Sequence, residues 1–290
     1  MLARVCCACA ALMVLLACRE NRPAPPSTSS SSSSDSAPTP APSANVVTYI
    51  ARDFGFEGPA QIPAGPTLFR LDNQGKELHH LVLVRIEQGR TYDSLLAALR
   101  KQGPPPAWIH LVGGPNATGP GANSNATENL TEGHYAVICL IPSADGVPHL
   151  AKGMTSPLEV VAATGPVARE VPADVTIKLS DYKFDVSSPL TTGSHVIRVE
   201  NAGPQPHELV LVKMEPGKTV KDIEAWEKGG EKGLPPVSPM GGISPMMANE
   251  SGQFTVELTP GDYAFICFVS DTKDGKAHLV HGMVKSVKVG

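Results

Sequence analysis

Two stretches of the sequence each carry a cysteine, a histidine and a methionine in the same order. Residues 133–154 read GHYAVICLIPSADGVPHLAKGM, and residues 261–283 read GDYAFICFVSDTKDGKAHLVHGM. A further histidine precedes each cysteine, at the same separation in both cases. The candidate metal ligands therefore form one set in each half of the chain: His79, Cys139, His149 and Met154, and His207, Cys267, His278 and Met283. Two imidazoles, one thiolate and a weak thioether are the donors that suit copper in a redox site.

Other roles remain open for the two cysteines. A lone cysteine is often a small buried hydrophobic residue, so both thiols could serve packing alone, with the histidines and methionines incidental. Cys139 and Cys267 could also form a disulfide with each other, as exported proteins permit. That bond would join equivalent points of two repeats, which is an awkward geometry. The presence of all four residue types in both stretches favours the metal-ligand interpretation.

The chain contains two copies of one sequence pattern. The alignment that places Cys139 on Cys267 also places the segment HHLVLV (79–84) on HELVLV (207–212). One extra residue after the second cysteine then aligns the following histidine and methionine as well. A repeat of this length is too long for a solenoid. It predicts two domains of one fold, at about residues 46–162 and 174–290, joined by a short linker.

The other histidines do not repeat between the copies. Under the same alignment each of them falls on a residue of another type. We therefore expect surface or loop positions for His80, His110, His134, His195 and His281.

Short apolar runs between glycine and proline turns dominate both copies, and they predict strands. The runs LVLVRI and LVLVKM are continuously apolar, as in strands that are buried on both faces. In the strand before the first cysteine, Tyr135, Val137 and Cys139 lie on one face because side chains alternate along a strand. One helix is predicted in each copy, over residues 91–101 and 220–228. The predicted fold class is all-β, with two tandem β-sandwiches that each contain a short inserted helix.

These motifs resemble those of the cupredoxin family, the blue or type 1 copper proteins such as plastocyanin. The pattern G-x-Y-x-[F/V]-x-C occurs before each cysteine, H-x-x-x-G-M ends each stretch, and NAGPQPH (201–207) is similar to the family's approach to its first histidine. The resemblance implies cupredoxin-like Greek-key sandwiches, copper as the cofactor and the eight candidates as its ligands. It also implies that Asn73 and Asn201 orient the histidines through hydrogen bonds.

The sequence departs from the family between the cysteine and the second histidine. Familiar cupredoxins have only a few residues there, whereas this chain has nine, LIPSADGVP, and ten, FVSDTKDGKA. Both segments contain Asp-Gly, a strong turn signal. A small hairpin could therefore return the histidine to the cysteine. A displaced histidine would leave no metal site.

The first 45 residues are expected to lie outside the folded domains. Residues 1–18 combine Arg4 with a short apolar run that ends in Leu-Leu-Ala-Cys, which resembles a bacterial lipobox. We expect a lipoprotein signal peptide and a lipid on Cys18, with a plain signal peptide as the alternative. Residues 19–45 are rich in serine and proline, which is typical of a disordered tether. The expected location is the bacterial cell envelope, lipid-anchored and facing the periplasm or the exterior.

Three functions follow from these observations. The first is a membrane-tethered copper protein that transfers electrons or holds copper, together with a redox or copper-exchange partner protein of unknown identity. The second is a metal-free binding module with the same fold. The third is a copper oxidase or nitrite reductase-like enzyme, which is disfavoured because the sequence contains neither H-x-H nor H-C-H. We therefore expect no enzymatic activity. A net charge of −4 and no basic run argue against nucleic-acid binding.

Overall fold

The computed structural model describes residues 44–101, 106–165, 169–229 and 235–290. The expected signal peptide, Cys18 and all but the last two residues of the expected tether lie outside the described residues. The described residues belong to one compact unit. Within them, no helix combines the length and the apolar character that a membrane crossing requires.

The described part of the chain contains 17 β-strands and two α-helices. The first copy contributes β1 (Asn45–Arg52), β2 (Gly55–Glu57), β3 (Gln61–Pro63), β4 (Gly65–Asn73), β5 (Val82–Ile86), α1 (Tyr92–Leu99), β6 (Ile109–Gly113), β7 (Asn123–Leu130), β8 (Gly133–Ile138) and β9 (Thr155–Val161). The second copy contributes β10 (Val175–Ser180), β11 (Lys183–Val186), β12 (Gly193–Asn201), β13 (His207–Met214), α2 (Val220–Lys228), β14 (Val237–Met246), β15 (Ser251–Leu258), β16 (Gly261–Ile266) and β17 (Val284–Val289).

The strands form two sheets that both run through the two copies. One has the order β11-β10-β12-β15-β7-β4-β1-β2, and the other has the order β17-β16-β13-β14-β6-β5-β8-β9-β3. The copies meet edge to edge, where Thr127 pairs with Gln253 and Val112 pairs with Met246. Because both junctions are antiparallel backbone pairings, the junctions cover sheet edges that would otherwise be open. The predicted all-β class is confirmed, and the predicted domain boundaries remain a prediction.

The strand that precedes each cysteine is buried on both faces. In β8, Tyr135 and Val137 point into the apolar core of the first copy, together with Cys139. The alternate residues Ala136 and Ile138 pack on the other side in a separate apolar cluster. That second cluster contains Leu95 of α1, so the helix covers the outer face of the strand. The cysteine therefore follows a strand that is packed on two sides.

Each helix begins at a threonine cap. Thr91 accepts a hydrogen bond from the Ser94 amide while the Ser94 hydroxyl accepts one from the Thr91 amide. At the start of α2, Asp222 Oδ2 accepts from both the amide and the hydroxyl of Thr219. Such hydrogen bonds satisfy amide groups that the first helical turn leaves free. The helix predicted over residues 91–101 ends at Leu99, and the helix predicted over residues 220–228 has the expected bounds.

Candidate metal centres

In each half of the fold, two histidines and one cysteine converge in the interior. His79, Cys139 and His149 form the first cluster, with each donor atom within 4.8 Å of the other two. His149 Nδ1 lies 3.1 Å from His79 Nδ1 and 3.4 Å from Cys139 Sγ. All three residues are fully buried. Residues that are 70 positions apart in the chain thus meet at one point.

The second cluster repeats this geometry closely. His207, Cys267 and His278 each place one donor atom within 4.8 Å of the others. His278 Nδ1 lies 3.0 Å from His207 Nδ1 and 3.4 Å from Cys267 Sγ. The two cysteines are free thiols and not a disulfide, so the cross-linking alternative is wrong. We call the two groups cluster one and cluster two.

The long segment after each cysteine folds back as a small hairpin. In the first copy, Pro142 pairs with Pro148, and the amide of His149 donates to the carbonyl of Ile141. Gly146 has a φ of 78°, a left-handed conformation that glycine adopts without steric cost. The second copy has the same pairing between Ser270 and Ala277. The extra residues therefore extend outward as a turn while the histidine returns to its cysteine.

A tight turn links the second histidine of each cluster to the methionine. The 3-10 turn His149–Lys152 is followed by Gly153, whose φ is 108°. This left-handed glycine lets the Met154 amide donate to the His149 carbonyl at 2.9 Å, and the Met154 carbonyl accepts from the Cys139 amide at 3.2 Å. Met154 is fully buried in the same apolar core as Cys139. Met283 occupies the same place beside Cys267, with Gly282 at a φ of 93°.

Asn73 and Asn201 organise the loops that lead to the first histidines. The Asn73 side chain accepts from the Gly75 amide and donates to the carbonyls of Glu77 and Thr118. The Asn201 side chain makes the equivalent bonds, accepting from Gly203. Both asparagines therefore act on backbone, at a distance from the imidazole rings. The side chains that contact the imidazole rings are carboxylates, which were not predicted from the sequence.

The outward nitrogen of each first histidine faces an aspartate. His79 Nε2 lies 3.3 Å from Asp53 Oδ1, and His207 Nε2 lies 3.0 Å from Asp181 Oδ1. A carboxylate on the outer ring nitrogen fixes the ring orientation and increases the basicity of the inner nitrogen. The sequence contained a signal for this pair, because Asp53 and Asp181 coincide in the same alignment that superimposes the two cysteines.

An aromatic ring packs edge-on against the second histidine in each cluster. Phe54 meets His149 with ring centroids 5.4 Å apart, and Tyr182 meets His278 at 5.5 Å. Both aromatic residues have left-handed backbones, with φ of 67° and 61°. A bulky residue adopts this conformation rarely and at a cost. The turn at each of these residues brings its ring against a ligand candidate.

Burial sets the protonation of the donors. It lowers the pKa of His79 and of His207, although hydrogen bonds to their aspartates act the other way. Burial and the neighbouring His207 lower the pKa of His278 to about 4. Burial also raises the pKa of Cys139 to about 12, and it raises the pKa of Cys267. These imidazoles are thus neutral at pH 7. The two cysteines are protonated at that pH, and each would become a thiolate only with a cation bound beside it.

His80 and Glu208 occupy equivalent positions that face the junction of the two copies. His80 Nε2 accepts the amide N–H of Leu140, the residue after the first cysteine, at 2.8 Å. Glu208 Oε1 accepts the corresponding N–H of Phe268 at 2.9 Å, and its other oxygen accepts from Asn116 of the first copy at 3.0 Å. These groups lie beside an apolar cavity of about 410 Å³ that residues of both copies line.

The remaining histidines are outside both clusters. The expectation of a surface or loop position is wrong for His195, which is buried within β12, whereas His80 lies in the loop before β5, although it is buried there. His195 packs its ring between Asp174, at 2.6 Å, and the carbonyl of Thr191. A third group, Asp271 with Asp274 and His281, places three polar side chains close together near the surface. Carboxylates near a surface commonly group in this way without an ion.

No protein-family model matches the chain, and no curated protein sequence matches it. Solved structures that are similar to it include the Na-dithionite reduced auracyanin of Roseiflexus castenholzii, with 18% identity, a TM-score of 0.29 and coverage of 41% of this chain and 99% of that one. Auracyanin A of Chloroflexus aurantiacus, a "blue" copper protein, has 17% identity, a TM-score of 0.29 and coverage of 40% and 98%. The Cu-containing nitrite reductase of Thermus scotoductus has 11% identity, a TM-score of 0.24 and coverage of 84% and 61%. Because these identities and TM-scores are all low, we base the function on the clusters themselves.

Proposed function

We propose that this protein binds one copper ion in cluster one and one in cluster two, and that it transfers electrons or holds copper. A single observation carries the proposal: in each half, two Nδ1 atoms and one Sγ atom are fully buried within 4.8 Å of one another. An ion at about 2.0–2.3 Å from three such donors keeps them roughly 3.3–4 Å apart. The spacings of 3.0–3.4 Å around His149 and His278 are close to that range.

The donor chemistry favours copper. One thiolate with two imidazoles suits Cu(I) and Cu(II), and a long thioether bond completes such a site without imposing a geometry. Met154 and Met283 are the proposed thioether donors, and each is buried and bonded through its backbone to the cysteine. A bound copper ion would supply one-electron chemistry. The residues of this chain would hold the ligands in place and exclude water.

The loaded full-length protein provides the test. Addition of Cu(II) should produce an intense thiolate-to-copper absorption band with two coppers per chain. Cys139→Ser and Cys267→Ser should each remove one copper and part of the band, and the double variant should remove all of it. A colourless wild type, or a band that survives in the double variant, would refute copper binding at these clusters.

The two other functions make different predictions. A metal-free binding module, for which the apolar cavity beside His80 and Glu208 is the supporting observation, predicts that copper leaves the melting temperature unchanged. A copper oxidase or nitrite reductase-like enzyme predicts more than two coppers per chain together with turnover of oxygen or nitrite. Metal analysis and a melting curve on the same sample separate these functions from the proposed one.

We further propose that the protein is anchored to a bacterial membrane through a lipid on Cys18 and works in the cell envelope. The support is the Leu-Leu-Ala-Cys sequence and the serine- and proline-rich residues 19–45 that follow it. The partner would be a redox or copper-exchange protein. Labelled fatty acid should be incorporated into the wild type and not into Cys18→Ser, and equal labelling of both would contradict the anchor.

A further inference from the structure

The two clusters match around the sulfur but differ at the outer nitrogen of the second histidine. In cluster one, His149 Nε2 lies 3.0 Å from Glu77 Oε2, and both His149 nitrogens are therefore engaged. The position equivalent to Glu77 in the repeat alignment is Gln205, which carries no charge. The second histidine thus has a hydrogen-bonded carboxylate in cluster one, and the equivalent position in cluster two holds an uncharged amide.

Gln205 does not replace the missing carboxylate. Its side-chain amide donates to Asp271 Oδ2 at 3.0 Å, and its oxygen accepts from the Thr272 amide at 3.0 Å. The outer nitrogen of His278 is fully buried and has no hydrogen-bond partner among the described residues. In the first copy, Ser143 stands where the second copy has Asp271, since the hairpins pair at the preceding residue in each case.

Asp271 is too far from His278, and too strongly engaged elsewhere, to act as Glu77 does. Its Oδ2 atom lies 3.8 Å from His278 Nε2, which is beyond hydrogen-bond distance. That oxygen already accepts from the Tyr182 hydroxyl at 2.6 Å and from Gln205, while the other oxygen accepts from the Lys273 amide at 2.7 Å. Asp271 therefore accepts hydrogen bonds from these groups and none from the His278 ring.

Each half has two carboxylates near its rings, Asp53 and Glu77 in the first and Asp181 and Asp271 in the second. Asp53 on His79 corresponds to Asp181 on His207, at 3.3 Å and 3.0 Å. The difference between the clusters is therefore the hydrogen bond between Glu77 and His149, which His278 lacks among the described residues. A carboxylate that accepts the N–H of a ligand imidazole makes the imidazole a stronger donor. A stronger imidazole donor favours Cu(II) over Cu(I).

We propose that Glu77 gives cluster one the lower reduction potential, so that in the half-reduced protein the electron resides at cluster two. This inference rests on the proposed copper binding. In the copper-loaded protein this would be the transfer of one electron: Cu(I) at cluster one would become Cu(II), and Cu(II) at cluster two would become Cu(I). No atom or proton is transferred. Glu77 is a positioning residue that acts through His149.

Single-site proteins allow each potential to be measured alone. Cys267→Ser leaves cluster one as the only coloured site, and Cys139→Ser leaves cluster two. In redox titrations of these copper-loaded full-length variants, the midpoint of cluster one should lie below that of cluster two. Glu77→Gln in the Cys267→Ser protein should raise the midpoint, by an amount equivalent to about a tenfold change in the Cu(I)/Cu(II) equilibrium, since substitution of such outer partners typically changes metal affinity 10- to 100-fold.

A reciprocal change and a charge control complete the design. Gln205→Glu with Asp271→Ser transfers the pair of cluster one to cluster two, and should lower the midpoint of the Cys139→Ser protein. Glu57→Gln removes one carboxylate that pairs with Arg52 on the surface, and it should leave the midpoint unchanged. If the reciprocal variant does not fold, the midpoint of the Glu77→Gln variant by itself tests the inference.

Three outcomes would overturn the inference: equal midpoints at the two clusters, a higher midpoint at cluster one, or a Glu77→Gln shift no larger than that of Glu57→Gln. The failure of copper binding looks different, because the single-site proteins would then have no thiolate-to-copper band to titrate. A normal band with an unchanged midpoint would refute the role of Glu77 and leave the proposed function intact.

Discussion

A single methyl group beside the first histidine of each cluster should disable that cluster alone. A Cβ atom at Gly75 would lie 2.5 Å from His79 Nε2 and 2.5 Å from Asp53 Oδ1, and a Cβ atom at Gly203 would lie 2.7 Å from His207 Nε2. Ordinary van der Waals contact begins at 3.4 Å. The Gly75→Ala substitution therefore requires the ring or the carboxylate to move by about 0.9 Å, and Gly203→Ala requires about 0.7 Å, to relieve the overpacking.

These displacements exceed what a metal site tolerates, since ligand distances must be correct to within about 0.2 Å. Neither glycine has a left-handed φ, so alanine is compatible with the backbone and the damage should be local. Overpacking of this kind costs roughly 1–3 kcal/mol of folding stability. We expect Gly75→Ala to weaken copper binding at cluster one and to leave cluster two at wild-type affinity, and the reverse for Gly203→Ala.

Copper titrations followed by the absorption band, with urea denaturation of the copper-free proteins, measure both effects. Gly55→Ala is the matched control, because a Cβ atom at Gly55 would have nothing within 4 Å. It should bind two coppers as the wild type does. The reasoning is refuted if Gly75→Ala and Gly203→Ala both retain two sites of wild-type affinity.

Three further predictions concern stability. Burial raises the pKa of Glu128 well above its ordinary value, so the native state keeps a proton that the unfolded state releases above about pH 4.5. The free energy of unfolding should therefore decrease with increasing pH in that range, by up to about 1.4 kcal/mol per pH unit. Glu128→Gln should flatten that part of the profile in urea denaturation, and parallel profiles for variant and wild type would contradict it. Addition of copper should raise the melting temperature, and a chelator should reverse the rise, because an ion that binds only the native state stabilises it. Phe69→Ala should lower the free energy of unfolding by about 3–5 kcal/mol, since the ring is fully buried, and a loss under about 1 kcal/mol would contradict the packing.

Much of the architecture could be predicted from local pattern. The alternation in HYAVICL and DYAFICF identified strands whose inward face includes the cysteine, and this holds in both apolar cores. The helix predicted over residues 220–228 has those bounds, and that over residues 91–101 ends early, at Leu99. Strands and helices of this kind can be predicted because the spacing of apolar residues along the sequence indicates which face of each element is buried. The joining of the copies through β6 with β14 and β7 with β15 was not predicted, because edge pairing depends on backbone groups and carries little side-chain pattern.

The sequence by itself determined which donors could meet: the internal repeat selected two histidines, one cysteine and one methionine in each half, and set the other histidines aside. Only the tertiary structure decided that the long hairpins return His149 and His278 to their cysteines, and that Glu77 pairs with one of these rings while Gln205 turns away from the other. The physical reason is that ligand types are a property of composition and spacing. The hydrogen bonds that orient a ring depend on where loops from distant parts of the chain come to rest, which no local pattern encodes.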